Sequence, residues 1–123
     1  MSGAPAPDIK ILEGTKPVIN DPDVVAAVAD VLKAALGDKF RTSPPTTASE
    51  DFSEFAGAGV PSMMFNIGVY DQERIDAARN GGPPIPANHS PQFAPVPKPT
   101  IETGVTAMTL AVLSVFEQKA RRK

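Results

Sequence analysis

Apolar residues along the chain recur at two spacings. In NDPDVVAAVADVLKAALG, Val24, Val25, Val28, Val31, Leu32, Ala35 and Leu36 fall three or four residues apart and predict one buried helical face. Asp21 stands where a cap belongs, Pro22 at the first helical position, and Gly37 just past the end. A period of two marks DIKILEG, Asp8 to Gly14, where Ile9 and Ile11 oppose Lys10 and Leu12; a strand closed by glycine is expected. DKFRTS, around Phe40, predicts a second, brief strand.

In TTASEDFSEF, Thr47 and Glu50 have the spacing of a capping box, with Thr47 or Ser49 as the cap, and predict a short helix. Phe52 and Phe55, three apart, should face the core. GVPSMMFNIGV follows, apolar on both faces at Met63, Met64, Phe65 and Ile67, as in a strand of a parallel sheet covered on both sides. From Tyr70 to Pro99 periodicity fails over about 30 residues that carry seven prolines and an NGG turn signal, with a short helix expected at DQERIDAARN. Thr100 is placed to cap a last helix, on which Ile101, Val105, Met108, Val112 and Phe116 mark the expected buried face. Gly104 within it suits a helix approached closely by another backbone.

The order strand, helix, strand, short helix, buried strand, long loop, helix predicts an α/β fold. More fully, it is a partial three-layer sandwich: the C-terminal portion of a mixed or parallel sheet, flanked by helices and ending in a long one. So few strands would leave sheet edges and apolar faces uncovered. The pattern therefore reads as part of a domain.

Composition narrows the function classes. With 12 Lys+Arg against 14 Asp+Glu the net charge is −2, which gives no electrostatic footprint for nucleic acid and no polybasic membrane patch. The terminal KARRK complements a helix dipole. No cysteine is present, so disulfides, thiolate metal sites and cysteine nucleophiles are all excluded. MSGAPAPDIK lacks the pattern of a secretory signal, and no run reaches the roughly 20 apolar residues of a membrane helix. A soluble, cytoplasmic chain is expected.

The chemistry-bearing positions are few. His89, in ANHSPQF, is the single histidine, between Pro86 and Pro91. An imidazole is both a metal ligand and a proton carrier; on the residues alone His89 reads either as a ligand or as a loop histidine without a task. Glu50 and Asp51, in SEDF, are adjacent carboxylates that either support a metal site or complement the dipole of a helix first turn. One imidazole makes a poor Ser-His-Asp triad, and no glycine spacing supports a phosphate loop.

Three motifs taken together go further: PVINDP at Pro17 to Pro22, SEDFSEFA at Ser49 to Ala56, and NHSPQF at Asn88 to Phe93 leading into TGVTAMTLAVLSVF. In this order and spacing they resemble the C-terminal part of the metal-dependent amidohydrolases of the hippurate hydrolase, aminoacylase and carboxypeptidase family. The resemblance runs from about Asp8 to Phe116. It implies a catalytic α/β domain with two metal ions and an inserted lid domain, and it makes His89 a metal ligand. Glu50 and Asp51 become candidates beside the metal ligands or on the substrate side. Residues 1–20 become the tail of the lid and the return linker, and 21–123 the C-terminal part of the catalytic domain.

The implied reaction is hydrolysis of an amide bond in an N-acyl amino acid or small peptide. The implied cofactor is a divalent metal, zinc or manganese, with cobalt or nickel also compatible with a histidine ligand. The family's early metal-binding motif, a His or Cys with a nearby His or Asp, has no counterpart here, nor does the acidic motif that supplies the general base. The resemblance thus implies an inactive C-terminal fragment that binds metal weakly when alone, its partner being the missing N-terminal part. The alternatives are one half of a split enzyme, or a non-catalytic module that uses exposed apolar surface to form a homo-oligomer or bind another chain.

Overall fold

A computed structural model of the chain describes residues 3, 5–11, 14–47 and 50–121. Four α-helices follow in order: α1 (Pro22–Leu36), α2 (Ser53–Gly57), α3 (Gln72–Arg79) and α4 (Pro97–Arg121), with a 3-10 turn at Gly37–Lys39 after α1.

The start of α1 is built as its sequence requires. One Asp21 carboxylate oxygen accepts from the backbone N–H of Asp23 at 2.9 Å and of Val24 at 3.0 Å, satisfying two of the donors a helix start leaves open. At the other end Gly37 takes a positive φ of 52°, a conformation that suits glycine. Val28 and Leu32 turn inward and meet Ala107 and Ala111 of α4, and these four are the buried apolar core among the described residues. Gln118 donates to the Asp23 carbonyl at 3.3 Å, which brings the end of α4 beside the start of α1.

Which face of α4 is buried differs from expectation. Ile101, Val105, Met108, Val112 and Phe116 are all exposed, Phe116 by 65%. Ala107, Ala111 and Ser114 pack inward instead. Small side chains let two helix backbones approach, whereas the large residues would hold them apart. The stripe of large residues is left facing outward. Gly104 has nothing within 4 Å of where a Cβ would lie, so no backbone crosses there. The helix starts at Pro97 rather than after Thr100, with Pro97 and Pro99 in the first turn, where a missing N–H costs nothing. By length and composition α4 is also long and apolar enough to cross a membrane, contrary to the reading of the sequence; the surplus apolarity is the outward stripe.

The expected α/β sandwich is not formed. Among the described residues there is no β-strand. The described part of Asp8 to Gly14 is irregular, and Ile9 and Ile11 are 76% and 94% exposed; Leu12 and Glu13 of that expected strand lie outside the described residues. Phe40 follows the 3-10 turn and packs on the helix pair as a single residue.

The run from Pro61 to Val69 explains the failure. Inward and outward positions alternate along it, with Met63, Phe65 and Ile67 packed on the core and Met64, Asn66 and Gly68 exposed. This is the period of a strand. Among the described residues, hydrogen bonds tie it down at three places. Asp21 N–H donates to the Ser62 carbonyl at 2.8 Å, and Val96 N–H donates to the Val69 carbonyl at 2.8 Å. Between them the Asn20 amide both donates to the Met64 carbonyl and accepts from the Met64 N–H, as a neighbouring strand would. From Phe65 to Gly68 the backbone makes no hydrogen bond to another described residue. A strand becomes a sheet only by exchanging such bonds with a neighbour, and the described chain offers none. One face is covered, not the two that were expected.

Leu32→Ala removes the larger of the two α1 residues in this core and should destabilise the chain by about 2–5 kcal/mol. Urea unfolding of the purified chain checks this, as a lower midpoint with an unchanged slope.

Candidate functional site

His89 is presented by a loop that the chain builds in short hydrogen-bonded steps. Ser90 N–H donates to the Ala87 carbonyl at 3.1 Å, and Phe93 N–H donates to the Ser90 carbonyl at 3.0 Å. The Ser90 hydroxyl accepts from Gln92 N–H at 3.2 Å. His89 itself has φ 71°, the one positive φ at a non-glycine position among the described residues. Left-handed backbone crowds a side chain's Cβ, although histidine tolerates it better than most. The residue is exposed.

The carboxylates of SEDF are placed differently. Glu50 is half-buried, and its carboxylate accepts from the Phe52 N–H at 3.3 Å, while its carbonyl accepts from the Ser53 hydroxyl at 3.2 Å. Asp51 is exposed, and its carbonyl accepts from Glu54 N–H at 3.0 Å. Both therefore organise the turn into α2. That helix begins at Ser53, after Phe52, and no side chain caps it; the alternative cap, Ser49, lies outside the described residues. Ser53 is buried to 2% exposure, but Phe55, expected in the core, is 56% exposed and rests on Phe52 with ring centroids 5.3 Å apart.

His89, Glu50 and Asp51 are not gathered into a metal-holding group: no three His, Asp or Glu side chains converge among the described residues. A catalytic metal centre needs about three protein donors. The donors among the described residues do not make one by themselves. Nor do they line the groove of about 590 Å³ beside α2, whose walls include Lys16, Asn20, Ser53 and Val60.

The residue that reasoning from the sequence missed is Tyr70. Its hydroxyl donates to the Pro86 carbonyl at 2.7 Å and accepts from the Ala94 N–H at 3.4 Å, at the two feet of the His89 loop. The available signal was compositional: it is the single tyrosine, at the threshold of the proline-rich segment.

Residues 7–113 match the family model described as Peptidase family M20/M25/M40. No solved structure matches the chain. The matched region contains α1, α2, α3, the His89 loop and most of α4.

Left-handed backbone at His89 is a cost that glycine would not bear. His89→Gly should leave the chain as stable as the parent or stabilise it by up to about 1 kcal/mol, read from the thermal midpoint. A clear loss of stability would mean that the imidazole is itself a structural contact.

Proposed function

The chain belongs to peptidase family M20/M25/M40, a family of metal-dependent hydrolases, and from that premise we propose that it is the C-terminal part of an amidohydrolase acting on N-acyl amino acids or small peptides. On this reading His89 supplies one ligand, through a ring nitrogen, to a divalent metal whose other ligands come from a second polypeptide segment. Zinc and manganese are the leading candidates, with cobalt and nickel compatible. The observation that carries the reading is His89 held exposed in a left-handed turn inside the family-matched region. Backbone strain retained at an exposed imidazole has a ready explanation if geometry at that atom matters. Glu50 and Asp51 are assigned to the surroundings of that site, holding a water, a neighbouring ligand or the substrate.

Two surfaces without a partner among the described residues support the need for the second segment. The backbone from Phe65 to Gly68 has an open hydrogen-bonding edge, and the α4 stripe from Ile101 to Phe116 is apolar and exposed. A sheet laid along the first and apolar cover on the second would give the α/β layering that the chain's pattern asks for. The second segment is recognisable by a His-x-Asp or Cys-x-His motif and a Glu-Glu pair.

The same surfaces favour a second reading, a non-catalytic module that pairs with itself or another chain. Native mass spectrometry of the chain with zinc or manganese tests the fragment reading. A single histidine donor gives no chelate, so a metal-free species is expected; a stoichiometric metal-bearing oligomer would overturn the fragment reading.

Co-expression with a polypeptide bearing the missing motifs should yield metal-dependent hydrolysis of an N-acyl amino acid. His89→Ala should then lower it by more than about a hundredfold, since even residues behind the ligands cost tenfold to a hundredfold. Hydrolysis by the chain alone, abolished by the same substitution, would falsify the proposal.

A further inference from the structure

We propose that Tyr70 is the positioning residue of His89. The purpose of this role rests on the reading of His89 as a metal ligand; its geometry does not. One hydroxyl serves both feet of the loop: it donates to the Pro86 carbonyl at 2.7 Å and accepts from the Ala94 N–H at 3.4 Å. The segment from Pro86 to Ala94 is thereby closed into a ring that carries the exposed His89.

The tyrosine ring is itself held from two sides. Phe93 meets it edge-on, with centroids 6.0 Å apart and planes at 88°. The Arg74 guanidinium of α3 lies 4.8 Å from its centroid, within cation–π range. Just outside the loop, Val96 N–H donates to the Val69 carbonyl at 2.8 Å, which fixes the residue before Tyr70 to the chain leading into α4. The base of the loop is thus joined to α3 and to the extended run, while the loop itself is held, among the described residues, by its internal turns, the edge of Phe93 against the Tyr70 ring and this hydroxyl. A free loop would relax His89 towards negative φ, because the left-handed conformation is disfavoured for a residue with a Cβ. Closing the feet removes that freedom.

The full chain allows a direct test, because its one histidine and one tyrosine give unambiguous resonances. Tyr70→Phe removes both hydrogen bonds and keeps the ring. It should raise amide exchange at Ser90 and Phe93 by about tenfold or more, the scale of one to two lost hydrogen bonds. It should also move the His89 amide-to-α-proton coupling away from its left-handed value. Exchange at Val28 and Leu32 should stay as in the parent, which separates a loosened loop from a loosened fold. Arg74→Gln removes the cation and leaves the hydroxyl, so exchange at Ser90 should remain close to parental.

An unchanged His89 coupling and unchanged Ser90 exchange in Tyr70→Phe would overturn the inference, and so would equal loosening in Arg74→Gln, since ring packing would then be the restraint. If the loop loosens as expected but His89→Ala leaves the co-expressed activity intact, the ligand reading fails while the clamp stands.

Discussion

The buried core of this chain hangs on the contact between α1 and α4. Val28 and Leu32 reach into a face of α4 made of Ala107, Ala111 and Ser114, and the smallness of those side chains is what lets the two helices meet. Met63, Phe65 and Ile67 then lie against this pair, as does Phe40. The core is small for the length of chain that depends on it. A domain of this size usually buries much more, and the apolar residues that would do so here stand outside.

The relation between sequence and fold is clearest where structure is local. Asp21, Pro22 and Gly37 set the limits of α1 by interactions within a few residues, so their meaning could be read without knowledge of the rest. The buried face of α4 could not, because periodicity reports where apolar residues recur and not which of two stripes a neighbour selects. On α4 the size of the side chain decided. For Pro61 to Val69 the strand period was visible and the extended backbone is there, yet a sheet is a property of two strands. Phe55 was misplaced for a related reason: a helix as short as α2 presents few residues, and its buried one is Ser53.

The site was legible to different depths. His89 stood out by being single and flanked by prolines, but only the resemblance to a hydrolase family made it a candidate ligand. Its left-handed backbone is a tertiary fact that no local pattern announced. Glu50 and Asp51 are engaged in the turn before α2 rather than in its first turn, where the acid is Glu54. Tyr70 was invisible because its partners, Pro86 and Ala94, are distant in sequence and are backbone groups.

The pairing of α1 with α4 joins the first helix of the chain to the last. During synthesis the apolar run from Pro61 to Val69 must therefore leave the ribosome before α4 exists to shelter it. For that interval it is an uncharged stretch containing two methionines, a phenylalanine and a bare backbone edge, the kind of segment that draws chaperones or seeds intermolecular sheets. The same run that completes the core of the finished chain is thus its most adhesive segment while the chain is being made.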